Sequence, residues 1–420
     1  MPFSATKPKS NIQRILRRPV ILCVSLAVLI THFASAQNTL HQEIKDLSTL
    51  YKDPEGAPFQ RFKLYFAYMH QFGYIDGEDR NETSFNDSSE EIRRLWAGIE
   101  GDFLNYFGFK AVSQLSNDRH NYPGGARQFG HETFRSANIT FRAHQAFDTG
   151  IFDKLTLGYG RRSGRMADEW QRSATHIHTL ERSPFSNKLW LSDEENGNPL
   201  AAWAKATIGT HTFDLALFSG TYDDWIGGWD DSTVTYLSWE SDYSETTGLD
   251  TTDVWLSYYY QDGELGEDRL AKGNEWAFSF VTRWGQDDWD FHTTLAYGKN
   301  GDQLNPNREG DFWGLVLQPM YWLQADKQKI VARYQYQASE ESEGIRLNSR
   351  YARLGATQDD TIDINSGRGD EHHSFYLGYN YYIFGDNLKI ISGIEWETLS
   401  SNGEDIYSGW SVGTGLRILL

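Results

Sequence analysis

A period-two alternation of apolar and polar side chains recurs through this chain in segments of about ten residues, and it limits the fold more than any other feature. A strand points successive side chains to opposite faces. In 61–72, Phe62, Leu64, Phe66 and Tyr68 therefore share one face, while Arg61, Lys63, Ala67 and Gln71 share the other. Residues 134–145 set Ala137, Ile139, Phe141 and Ala143 against Ser136, Asn138, Thr140, Arg142 and His144. The last segment, 408–420, sets Trp410, Val412, Leu416, Ile418 and Leu420 against Ser411, Gly413, Gly415 and Arg417. The same pattern predicts strands at 61–72, 91–101, 105–117, 134–145, 153–162, 199–209, 211–220, 232–241, 253–261, 274–284, 288–298, 311–322, 328–339, 371–383, 387–398 and 408–420, sixteen in all. The middle of each apolar face carries no Lys, Arg, Asp or Glu. Lipid demands this, since a basic group near the bilayer midplane costs about 2–4 kcal/mol.

The connections alternate in length. Long ones at 73–90, 118–133, 163–198 and 340–370 are interleaved with short ones such as 102–104 and 146–152, and 242–251 is the longest of the short set. An even strand count with this rhythm predicts an all-β fold, a transmembrane antiparallel up-and-down β-barrel whose strand one rises from the periplasm and whose long loops are external. The third external loop, 163–198, is the longest.

The first residues predict export. Lys7, Lys9, Arg14, Arg17 and Arg18 precede an apolar run from Val20 to Ile30, and Ala34-Ser35-Ala36 offers a cleavage site. The expected organisation is a secretory signal peptide at 1–36, a periplasmic N-terminal lead-in at 37–60 with a short helix carrying Ile44, Leu47 and Leu50, and the barrel at 61–420. The only cysteine, Cys23, leaves with the signal peptide, so the mature chain depends on its fold and not on disulfides. The signal also removes five basic and no acidic residues, leaving 34 basic against 58 acidic, or −24. That charge argues against nucleic acid as a partner. No later apolar run approaches the roughly 18 residues a membrane helix needs, so any crossing is made by strands.

Several segments resemble the phosphate-selective porin O/P family. They are Arg93-Arg94-Leu95-Trp96-Ala97-Gly98-Ile99-Glu100-Gly101, Leu155-Thr156-Leu157-Gly158, Leu180-Glu181-Arg182-Ser183, Val331-Ala332-Arg333-Tyr334 and Leu377-Gly378-Tyr379-Asn380-Tyr381-Tyr382, in the family's order. The chain departs from the family at Gly160-Arg161-Arg162-Ser163-Gly164-Arg165, where a Pro-Phe-Gly type turn is usual, and in ending on Leu420. The resemblance implies a sixteen-stranded, trimeric, anion-preferring porin in the outer membrane whose third external loop folds inward and narrows the pore. Its partners would be outer-membrane lipid and small anionic or polar solutes, in a homotrimer.

In a pore, function resides in the lining charges and in whatever constricts the passage. The registers turn Lys63, Arg94, Lys110 and Arg142 toward the lumen, and the third loop brings Arg161, Arg162, Arg165, Arg172 and Arg182, with Lys188, against Asp168, Glu169 and Glu181. Two readings of these arginines stand side by side. They contact the solute, as guanidinium suits phosphate and carboxylate, or they pair with the loop's own carboxylates and hold it to the wall. His176 with His178, His372 with His373, and the Trp225–Trp229 segment fit solvated or interfacial positions as well as ligand sites. No cofactor and no catalytic motif is read from the sequence. Besides the diffusion porin, two alternatives remain open: a solute-specific or polysaccharide-exporting barrel, and an exported β-rich enzyme or carbohydrate-binding protein.

Overall fold

The computed structural model describes residues 48–420, apart from 57, 117–128, 172–173, 192–196, 220–232, 263–270, 272, 302–304 and 349, and also describes Glu43 and Asp46. The expected signal peptide, the helix positions Ile44 and Leu47, Arg172, and Trp225 with Trp229 lie outside the described residues.

Sixteen antiparallel strands form the wall: β1 Phe59–Asp79, β2 Ser84–Phe103, β3 Phe107–Ser116, β4 Phe129–Arg142, β5 Lys154–Arg161, β6 Leu200–Ile208, β7 His211–Ser219, β8 Thr233–Asp242, β9 Thr251–Gln261, β10 Asn274–Gln286, β11 Trp289–Asn300, β12 Gly310–Gln324, β13 Gln328–Ser339, β14 Glu371–Tyr382, β15 Leu388–Ser401 and β16 Glu404–Leu419. Each pairs with the next, and β16 pairs back onto β1 from Tyr407↔Asp79 to Leu419↔Ala67. The barrel is thereby closed, so it has no unpaired sheet edge in the membrane.

Alternation survives in three dimensions. Along β14, Phe375, Leu377 and Tyr379 are 52%, 56% and 39% exposed, while Ser374, Tyr376 and Asn380 between them are 0%, 5% and 0% exposed. Leu157, Leu215, Leu217, Leu237, Leu295 and Trp396 extend the outward apolar belt. An apolar surface that runs around the whole wall has a stable place only in hydrocarbon. Inward positions are polar, with Ser257, Ser279, Thr294, Gln318 and Gln335 all buried.

Three expectations are corrected. The first long loop, 73–90, is strand: β1 and β2 continue to a turn at 80–83, because Ile75 and Phe85 keep the alternation and pack with Leu347, Ala352 and Ile364 of the 340–370 connection. Leu50 belongs to a strand, Thr49–Lys52, and not to a helix. It pairs with Arg61, Phe62 and Lys63 on the edge of β1 that β16, ending at Ala67, does not reach. β1 itself begins at Phe59, within the expected lead-in. The long turn after β8 is real and contains one helical turn, Ser244–Thr247.

Candidate functional site: the cavity between the third loop and the wall

The third loop, 162–199, is held against the inner wall by charge. Three of its carboxylates meet cations of the wall: Asp168 accepts from Arg283 at 2.5 Å and lies 3.0 Å from His292, Glu169 accepts from Arg333 at 2.6 Å, and Glu181 accepts from Arg93 at 2.6 and 3.1 Å. Arg333 also donates to Glu395 of β15 at 2.7 Å. The loop backbone is capped as well: Arg417 donates to the carbonyls of Ala174, Thr179 and Leu180 at 2.9, 3.1 and 2.6 Å, and Asn380 donates to that of His178 at 2.8 Å. Lys389 lies 3.3 Å from the carbonyl of Ile177. These groups are withdrawn from water, where each bond is stronger and each unmade bond more costly. Burial works to raise the Glu181 carboxyl, but Arg93, aided by Arg94 and Arg350, outweighs it and holds the group well below the usual carboxylate range.

An apolar core completes the attachment. Met166, Trp170, Phe185, Leu189 and Leu191 of the loop pack with Phe218, Tyr236, Tyr259, Phe312 and Val316 of the wall. Phe185 lies over Gly314, where an added Cβ would stand 2.7 Å from the ring, so only glycine admits this approach.

Between the loop and β1–β4 a cavity of about 340 Å³ remains. Among the described residues its charged lining is Lys110, Arg135, Arg165 and Arg182, with no carboxylate. Tryptophan faces hold two of these cations flat: Arg182 sits 3.7 Å from the centroid of Trp170, and Arg135 5.0 Å from Trp96 and 5.9 Å from Trp190. Trp170 and Trp190 stack at 4.3 Å, and Arg94 lies 5.9 Å from Trp96, so guanidinium and indole groups form a chain from wall to loop. Such contacts hold a guanidinium in place. Arg182 also donates to the Glu169 carbonyl at 2.8 Å. Burial lowers the Arg182 guanidinium to about 9, Glu169 opposing the fall and Arg135 adding to it.

Of the ten cations singled out from the sequence, the cavity gathers Lys110, Arg165 and Arg182, with Arg94 one tryptophan away. Arg165 is exposed and makes no ion pair among the described residues. Lys110 lies 3.4 Å from Glu100 and 4.6 Å from the ring of Tyr65. The other described members are engaged elsewhere. Arg162 makes a two-pronged pair with Asp214 at 2.9 and 2.5 Å, Arg161 donates to the Asn198 carbonyl at 3.1 Å, Arg142 pairs with Asp102, and Lys63 stands opposite Glu100 in the β1–β2 register. Asp168 and Glu181 pair with arginines of the wall.

Two cations escaped the sequence reading, Arg93 and Arg135. Each is an extra residue in a β-bulge. Between Met69 and His70, β1 pairs with Arg94 and then Ile92, and between Val112 and Ser113, β3 pairs with Ser136 and then Phe134. A bulge shifts the alternation by one residue. It brings Arg93 to Glu181 and Arg135 to the cavity. A signal was present: two adjacent arginines in β2, and one arginine among the apolar positions of β4, would otherwise put guanidinium in lipid.

A closed sixteen-stranded antiparallel barrel with a lipid-facing belt and a polar interior is the architecture of bacterial outer-membrane proteins, and the outer membrane is where such a surface belongs. Solved structures agree. The chain is similar in fold to OmpT, an outer membrane protein of Vibrio cholerae, at TM-score 0.53 and 10% identity over 89% of this chain and 99% of that one. It is similar to Pseudomonas putida OprB at TM-score 0.51 and 11% identity, covering 86% and 94% of the two chains. An anion-selective porin from Comamonas acidovorans aligns at TM-score 0.48 and 11% identity, covering 86% and 99%. No protein-family model matches the chain, and comparison with curated protein sequences gives no match.

Proposed function

We propose that this barrel is a passive diffusion porin that admits small hydrophilic solutes and prefers anions. The observation that carries the reading is the cavity between the third loop and β1–β4, whose described lining holds Lys110, Arg135, Arg165 and Arg182 and no carboxylate. In a water-filled passage the fixed charges nearest the path set which ions enter. Exposed charges are screened over about 8 Å at physiological ionic strength. Phosphate is the solute that the resemblance to the phosphate-selective porin O/P family implies, and two-oxygen recognition by guanidinium supports it. A homotrimer belongs to the same reading.

Planar-bilayer measurement under a KCl gradient tests it. The wild-type reversal potential should report anion preference, Arg135→Ala with Arg165→Ala should move it toward cations with conductance retained, and phosphate should block chloride current less in that variant. A cation-selective wild type would overturn the anion reading.

A further inference from the structure

A passage for inorganic anions has no use for apolar walls, because water and small ions gain nothing from them. Barrel interiors are accordingly polar. The cavity departs from that rule. Beside its four cations it is lined by Tyr65, Trp96, Val112, Trp170, Ala174 and Leu419. The wall residues among these belong to an inward apolar cluster in which Ala67, Met69, Trp96 and Val112 are buried and Tyr65 and Leu419 pack against them. Among the described residues of the loop only Ala174 belongs to the cluster, so packing of the described loop does not account for it.

Cations and apolar surface face one volume, so the lining is amphipathic. Lys110 and Tyr65 bring both characters to a single point, the ammonium lying 4.6 Å from the ring centroid. Apolar surface in such a site rewards the body of a ligand, while fixed cations reward its charge, and few convergent polar groups in an apolar pocket are the mark of an organic ligand.

We infer that the cavity is a binding site for organic anions with a compact apolar body, of the benzoate class, and not only a point of passage for inorganic ions. The carboxylate meets Arg135, Arg165 and Lys110, and the body lies on Tyr65, Val112 and Leu419. A cavity of about 340 Å³ accommodates a single-ring acid. The inference rests on the anion-porin reading and narrows its substrate class.

The test compares block of chloride current by benzoate, cyclohexanecarboxylate, acetate and inorganic phosphate across a planar bilayer. Both ring acids should block at concentrations at least about tenfold below acetate, the factor expected for removing a ring face from water. Tyr65→Ser with Val112→Thr, which keeps all four cations, should erase that advantage while acetate block and the KCl reversal potential stay as in wild type. Heat-modifiable gel mobility confirms that the variant is folded. Where mobility is lost, Tyr65→Ser alone takes its place in the same comparison. Equal block by benzoate and acetate in an anion-preferring wild-type channel overturns this inference and leaves the porin reading in place. A cation-preferring wild type overturns both, and the two failures are told apart by the reversal potential alone.

Discussion

Replacing Arg333 with methionine tests whether the third loop is pinned by charge. The side chain is buried and donates to Glu169 of the loop at 2.6 Å and to Glu395 of the wall at 2.7 Å. Methionine fills similar space but leaves two carboxylates facing one another without a cation. Removing one partner of a buried ion pair costs about 3–5 kcal/mol, because the remaining charge stays desolvated. The barrel wall, closed by sixteen strand pairings, does not bear this cost; the loop does, by leaving the wall. At about 1.4 kcal/mol per tenfold, the detached population should rise by roughly 10²- to 10³-fold. The assays are single-channel conductance, which should increase and become noisy as the loop swings, and trypsin cleavage after Arg165 and Arg182, which should accelerate. Glu169→Gln in the same background should recover much of the loss, since it removes a stranded charge. Unchanged cleavage and conductance in Arg333→Met would refute the pin.

Leu157→Arg should impair folding by about 2–4 kcal/mol, as it sets a cation against lipid, whereas Thr156→Arg should fold with altered conductance; urea titration in detergent compares them. Epitope tags within 340–370 should be accessible on intact cells and tags at 325–327 should not, which surface labelling decides. Because the Glu181 carboxyl is held below its usual range, the stability it gives the loop is present above its ordinary pKa and is lost only as pH falls through the lowered one. Conductance should therefore show no loop release between pH 7 and about pH 4, and Glu181→Gln should show release throughout, as read from bilayer recordings.

The wall was legible in the sequence because alternation is a property of each strand by itself. Phe62 with Leu64, or Trp410 with Val412, declare a lipid face without reference to any partner. The interior was less legible, for three reasons. Bulges at Arg93 and Arg135 break the period locally, and strict alternation then misplaces these two cations. Strand length was judged from membrane thickness, yet the β1–β2 hairpin runs on to Asp79 because Leu347 and Ile364, more than 250 residues away, cover Ile75 and Phe85. The partners of Asp168, Glu169 and Glu181 are likewise distant: Arg283, Arg333 and Arg93 lie on strands that only closure of the barrel brings beside the loop. Lys110, Arg165 and Arg182 line the cavity, whereas Arg161, Arg162 and Arg142 are bound to Asn198, Asp214 and Asp102.

The short strand Thr49–Lys52 has a consequence for assembly. In a ring made by joining the two ends of a linear sheet, the seam is the last part to form, and any stagger between the ends leaves a ragged overhang. Here the overhang is the stretch of β1 below Ala67, and the chain's own leading segment lies along it, donating and accepting where the closing strand falls short. Because that segment pairs beside β16 and not in its place, at Arg61, Phe62 and Lys63 below the last seam pair at Ala67, the overhang is covered by the chain itself and is not left as an open edge.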